Sequence, residues 1–339
     1  MKKHIDDVQT QTVDEHYKLL LEDKSVIDPD PSNVTFNDLP HWYDEKLYKK
    51  AQDIYKQNKL SIIASSTVGL ILVLTVNTIL KILVCTGRSN TSCSAFKRYI
   101  ETVLHVNALF MSDINDADSN WYKSINTIRW HHKMGSQKSK KNGGKEISQK
   151  DMALTQYGFM GLVLIAPKSF GLCNTPEENE AFNHFWRVNG YMLGIPDSLN
   201  LCRKNVKETI ELCQKIKQLY ATYLSKPPPE FDRIMSNAIE AIWYVDITVD
   251  KDAFMALTYE LHDLPYKKLR WYSRLNLKYH AWIFSLCHVP YIGTIIRIYN
   301  NCLASTLLWS VQHFPLLALL KFGKTNVRLN LYPKIAKLK

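Results

Sequence analysis

Apolar residues recur along this chain at intervals of three and four, the spacing that lines one face of an α-helix. Residues 42–59 predict an amphipathic helix that leads into an apolar run over 60–84. The same period predicts helices over 95–110, 149–165, 176–193, 199–224, 230–245, 252–261 and 267–286. Short turns join most of them. Alternating β-branched runs are scarce, and 12 Gly and 13 Pro in 339 residues are few. The pattern predicts an all-α protein with one large helical domain over 41–330. A polar, acidic arm with short helices precedes it over 1–40, broken at Asp28-Pro29-Asp30-Pro31-Ser32-Asn33. A basic tail follows over 331–339. The extended break Ser225-Lys226-Pro227-Pro228-Pro229 has apolar helices on both sides, so it reads as a loop within one domain as readily as a boundary.

Two kinds of segment bear on membranes. The run over 60–84 is long enough to cross a bilayer, yet carries Ser61, Ser65, Ser66, Thr67, Asn77 and Lys81. A membrane-embedded helix and a buried core helix both remain open for it. The apolar stretches 281–296 and 303–320 are interrupted by Pro290, Gly293, His313 and Pro315, and read as core helices or interfacial segments before they read as spans.

Charge is local. The formal +11 comes from 43 Lys and Arg against 32 Asp and Glu. Residues 135–150 predict a basic loop holding Lys138, Lys140, Lys141, Lys145 and Lys150, with Lys133 just before it, and Lys334, Lys337 and Lys339 mark the tail. Both read as solvated, with contact to an anionic membrane surface as the other reading. Nucleic acid is not the expected partner, because zinc-finger spacing, an RNA-recognition motif and a continuous basic helix are all lacking. Seven cysteines without CxxC spacing predict free thiols in a reducing compartment and no structural zinc. The start, Met1-Lys2-Lys3-His4-Ile5-Asp6-Asp7, is not a secretory signal. An intracellular protein, at the endoplasmic reticulum or another membrane, is expected.

Candidate chemistry begins at Ile128-Arg129-Trp130-His131-His132. Stepping back from His132 by four, three and four gives Ile128, Ile125 and Trp121, so His132 lies on the apolar stripe and His131 misses it. The helix is expected to start after Asp118-Ser119 and stop at Gly135. An imidazole aimed into an apolar core is either hydrogen-bonded and inert or bound to a metal. Over 96–105, Arg98, Thr102 and His105 share one face of another helix: a surface stripe, or a guanidinium and a hydroxyl lining a buried pocket. Other conspicuous residues carry less. His184 sits among aromatics as a core histidine, Gly190 and Gly194 suit close packing or a helix cap, and His262-Asp263 lacks a GxSxG nucleophile. His280, His288 and His313 are too far apart in sequence for a joint metal site, and HExxH does not occur.

Arg98 and Thr102, then Arg129 and His132, then Thr155-Gln156-Tyr157-Gly158-Phe159-Met160-Gly161 and Trp186-Arg187-Val188-Asn189-Gly190-Tyr191-Met192-Leu193-Gly194 stand in an order that resembles an oxygenase family. The family comprises the bacterial rubber oxygenase known as latex clearing protein and the endoplasmic-reticulum oxygenase of mycophenolic acid biosynthesis. The likeness runs from about residue 55 to 330 and is nearest to an animal branch. It implies a globin-related, all-α core with extra helices that holds haem b, takes O2 as co-substrate and cleaves or oxygenates a double bond in a lipophilic, isoprenoid-type molecule. His132 matches the proximal iron ligand. Arg98 and Thr102 match the arginine and threonine of the haem-pocket motif. Helical spacing puts Arg129 one turn from His132, where it could pair with a haem propionate. Covalent c-type attachment is excluded by the lack of CxxCH. One departure is Glu101, which stands where latex clearing protein has a lysine, and it puts rubber as the substrate in doubt. A catalytically degenerate, membrane-associated lipid-binding or scaffold protein of the same fold is the alternative.

Overall fold

Side-chain caps set the starts of seven of the fifteen α-helices among the described residues. Thr12, Asp44, Thr91, Ser148, Thr175, Asn205 and Asp250 each accept a hydrogen bond from an amide in the first turn that follows. In the computed structural model, which describes residues 8–333, the helices are α1 (Val13–Glu22), α2 (Glu45–Gln57), α3 (Lys59–Val73), α4 (Asn77–Thr86), α5 (Ser92–Met111), α6 (Asn120–Lys141), α7 (Gln149–Ile165), α8 (Pro176–Met192), α9 (Val206–Ser225), α10 (Phe231–Trp243), α11 (Lys251–Glu260), α12 (Trp271–Leu286), α13 (Ile292–His313), α14 (Leu316–Phe322) and α15 (Lys324–Val327). Among the described residues there is no strand, only the isolated bridge Val26–Ser148.

The helices close around one apolar core. α3 lies on α7, α2 on α8, and α5 packs between α6 and α10. At the α3–α7 crossing Gly69 meets Gly158 so closely that a Cβ on Gly69 would overlap the Gly158 carbonyl. Where α2, α5 and α8 meet, Phe110 stacks on Tyr55 at 4.2 Å and on Phe185 at 4.0 Å. The sequence segments around Gln156 and Asn189 are structural here. The Gln156 amide donates to the Trp186 carbonyl and to Asn200 Oδ1, both at 3.0 Å, and accepts from the Leu201 amide at 3.1 Å, tying α7 to α8 and the turn before α9. A Cβ on Gly190 would meet Gln156 Nε2 at 2.5 Å, so this glycine makes room for that amide.

The structure departs from the expected outline in several places. The 60–84 run is two helices, α3 and α4, bent by 91°. At the corner the Thr75 hydroxyl donates to the Leu72 carbonyl at 2.7 Å, and Val68, Ile71, Leu72 and Leu80 are buried in the core. Each arm is shorter than the ~20 residues a span requires. The basic 135–150 loop is mostly helix: α6 runs through Gly135 to Lys141. Buried Ser136 and Ser139 bind the returning chain, accepting from the Ile147 amide at 3.0 Å and donating to the Lys145 carbonyl at 2.6 Å. Packing thus outweighs the ~1 kcal/mol penalty of a mid-helix glycine. The helix expected from 199 starts only at Val206. In the N-terminal arm, Arg203 holds the Thr10 carbonyl at 2.7 Å and buried His16 at 3.1 Å, and Val34 exchanges two hydrogen bonds with Asn126. Residues 1–7 of the arm and 334–339 of the tail lie outside the described residues.

Candidate functional site

The candidate residues gather where α5 meets α6. Gly87, at φ +75°, ends α4 in the left-handed region and turns Arg88 and Ser89 toward this seam. Arg98 lies on the first turns of α5, started by the Thr91 cap, and its Nη1 donates to Ser89 Oγ at 2.9 Å. Among the described residues no carboxylate neutralises Arg98. Thr102, one turn on, donates to the Arg98 carbonyl at 2.9 Å. His105, buried another turn along, meets Ser124 Oγ of α6 through Nδ1 at 3.1 Å, while its Nε2 is buried without a partner. Tyr332 closes edge-on over His105 at 5.9 Å.

From α6, His132 enters the same seam. Its Nδ1 is buried and has no hydrogen-bond partner. Burial first, then the Arg98 and Arg129 guanidinium charges, push its pKa from the ordinary 6.5 down to about 4, so the ring is neutral at physiological pH. Trp121 and Ile125, earlier on its stripe, are fully buried; Ile128 and His132 are half-buried. The stripe is therefore real, but it did not exclude His131. His131 Nδ1 lies 3.1 Å from Arg88 Nη1, and because a guanidinium can only donate, Nδ1 is the acceptor and the ring proton sits on Nε2. Burial and the Arg88 charge drive this histidine down to about 3.

Arg88 also pairs with Glu101 at 2.5 Å, forming the chain Glu101–Arg88–His131 along the edge of the seam. Burial raises the Glu101 carboxyl above its usual range against the pull of Arg88. Sequence reasoning passed over Arg88, which carries no motif signal in its loop, and His131, which fell off the stripe. The angular distance of His131 from His132 on a helical wheel turns it toward α5, and that was the available clue.

Arg129, whose charge also acts on His132, is bonded to other elements. Its Nη1 donates to the Met192 carbonyl at 3.1 Å and its Nη2 to the Ser32 carbonyl at 3.4 Å, leaving Nε buried and unpaired. Gly194, at φ +93°, leaves room for it, since a Cβ there would lie 2.9 Å from Nη1. The structure thus brings the Arg98 and Arg129 charges to bear on His132, keeps Thr102 one turn from Arg98 on the side of α3 and α7, and bonds the Arg129 guanidinium to the end of α8. The remaining histidines are occupied elsewhere. His184 Nε2 accepts from the Asp44 amide at 3.0 Å, His262 donates to the Thr258 carbonyl at 2.7 Å, and Asp263 pairs with Lys217, not with His262.

An apolar cavity adjoins the seam through α5. Thr102, Val103 and Val106 wall a small void against Ile63, Ser66 and Phe159. The void shares Ile63, Thr67, Leu70 and Val103 with a larger cavity of about 460 Å³ between α3, α5, α11, α12 and α13. Thr102 therefore stands at the border between the polar seam and an apolar chamber.

These features define a class: an all-helical fold in which one helix pair carries a half-buried, neutral histidine under the charge of an arginine. The architecture is that of latex clearing protein. A solved structure of latex clearing protein in the closed state superimposes with a TM-score of 0.60, over 86% of this chain and 85% of that one, at 16% sequence identity. Neither a protein-family model nor a curated relative matches the sequence. At that identity the likeness establishes the fold and leaves the chemistry to be argued from the residues.

Proposed function

We propose that this chain is a haem b-dependent oxygenase that uses O2 on a double bond of a lipophilic, isoprenoid-type substrate. The observation that carries the reading is His132, a neutral imidazole with a buried, unpartnered nitrogen. It lies at a seam where Arg98 has no carboxylate to neutralise it, within the fold of latex clearing protein. A neutral imidazole is the form that ligates iron. Among the described residues no three His, Cys, Asp or Glu side chains converge as a nest for a bare ion. A porphyrin, which needs one protein ligand and partners for its carboxylates, fits these residues better.

In this reading His132 would hold the iron, and bound haem would supply the site that activates O2. Arg98 would offer guanidinium donors to a haem propionate. Thr102 can turn its hydroxyl from the Arg98 carbonyl toward the reacting centre, orienting by hydrogen bond. The apolar wall from Ile63 to Val103 excludes water and accepts a hydrocarbon chain. Glu101, paired with Arg88, puts a carboxylate beside Thr102, which speaks against rubber-type handling of substrate.

The test is a visible spectrum of the purified chain after haem loading. A Soret band is expected, lost or shifted in His132→Ala and retained in His131→Ala; no band at full protein occupancy would refute the reading. A second reading, a lipid-binding protein of the same fold without catalysis, draws on the 460 Å³ apolar cavity, which suits a lipid with or without haem. Co-purified lipid with no haem uptake would decide for it, and oxygen uptake with an isoprenoid would decide against it.

A further inference from the structure

The apolar surface and the charge of this protein are concentrated in the same place. From residue 264 to the end, the sequence contains twelve Lys and Arg and no Asp or Glu, whereas the preceding 263 residues hold 31 basic and 32 acidic side chains. The net charge of the whole chain therefore belongs to its last quarter. Of the 23 large hydrophobic side chains that stand exposed among the described residues, sixteen lie between Trp271 and Leu320. On α12, Trp271, Leu275, Tyr279 and Trp282 form one outward stripe; on α13, Ile295, Ile298 and Trp309 form another. Lys278 and Arg274 flank the first stripe and Lys321 follows the second.

We propose that α12 and α13 form a docking surface for an anionic lipid bilayer, on which the protein lies without crossing. Exposed Trp and Tyr on helices edged by Lys and Arg are the composition that seats at the headgroup level. A bilayer rich in acidic lipid complements two helices that carry Arg274, Lys278 and Arg297 and no acidic residue of their own. A second copy of the chain does not, because it would set these basic helices against their own copies.

The stretch Ile292–Phe322 is long and apolar enough to span, but its inner face is fastened to the body. Asn301 accepts from the Lys59 amide at 2.8 Å and donates to the Gln57 carbonyl at 2.6 Å, and Asn300, Ala304 and Val311 are buried. Only the outer face is free for lipid, which is the arrangement of a helix lying in the interface plane.

The cavity supports the same orientation. Tyr279 of α12 and Tyr299 and Leu303 of α13 both line the 460 Å³ chamber and stand exposed, so its mouth opens between these two helices on the docking face. A lipophilic molecule dissolved in the bilayer reaches the chamber without passing through water. This inference goes beyond the oxygenase reading, and its readout uses no haem, so either can fail alone.

The experiment is flotation of the full chain with phosphatidylcholine vesicles, with and without phosphatidylserine. Binding is expected to be stronger on the anionic vesicles and to weaken with salt. Ile295→Asp combined with Trp282→Asp, both at exposed positions, is expected to reduce it by about tenfold or more. The exposed control Met134→Asp is expected to leave it unchanged. Circular dichroism on each variant establishes that it is folded. The proposal is overturned if the wild-type chain does not float with either vesicle. It is also overturned if light scattering shows a stable dimer that the two substitutions dissociate.

Discussion

Replacing Glu101 by Lys tests the electrostatics of the α5–α6 seam directly. Glu101 and Arg88 are in contact, and unit charges about 4 Å apart interact by about 4 kcal/mol at an effective dielectric of about 20. Glu101 is 14% exposed but Arg88 is 41% exposed, so solvent screening reduces the net coupling to about 1–2 kcal/mol. Glu101→Gln removes that attraction. Glu101→Lys replaces it with repulsion from Arg88, in a seam that already holds Arg98 uncompensated, for a total loss of about 2–4 kcal/mol. The assay is a double-mutant cycle in urea, read from unfolding free energies of wild type, Glu101→Gln, Arg88→Ala and the double variant. Adding Arg88→Glu to Glu101→Lys is expected to restore most of the lost stability by reversing the pair. A coupling energy below about 0.3 kcal/mol, or a charge reversal that restores nothing, would refute the pair as an element of the seam.

Three further outcomes follow from the geometry. His105, almost fully buried, has a folded pKa of about 4 against an ordinary 6.5, so its unfolded form binds the proton first as pH falls. Its contribution is complete above about pH 6.5 and is lost between there and pH 4, up to about 3 kcal/mol; denaturation followed against pH should show that slope, and His105→Gln should flatten it. Gly69→Ala forces α3 away from α7 and should destabilise by about 3 kcal/mol, visible as a lower melting temperature; an unchanged melting point would mean the two helices do not cross this closely. Trp121→Phe removes the indole donor to Tyr48 at 2.7 Å and to Asn189 at 3.2 Å and should cost about 2 kcal/mol, with Trp121→Tyr no better unless its hydroxyl finds the same acceptors.

The sequence by itself determined the helices and one stripe. Caps such as Ser148 and Thr175, and apolar residues at intervals of three and four, are local signals, and they located α7 to the residue and α8 to within one. The same local geometry singled out His132, and the α5 face gave Arg98, Thr102 and His105, since residues four apart on a helix are neighbours wherever that helix lies.

What needed the tertiary structure is everything that depends on a second element. The segment before the late start of α9 is held by the Thr10 carbonyl from a distant part of the chain, which no local window contains. Arg129 looked like a partner for the His132 site because it is one turn away. Its charge does act on His132, and the end of α8 adds the Met192 carbonyl as a partner that local spacing does not show. His131 lay off the apolar stripe and was passed over, yet α5 and the α4–α5 turn supply Arg88 against it. The apolar segments over 60–84 and 292–322 look alike in composition. Only packing decides that α3 is covered by α7 while α13 keeps its outer face bare, because burial belongs to a pair of surfaces and the sequence of one helix describes a single surface.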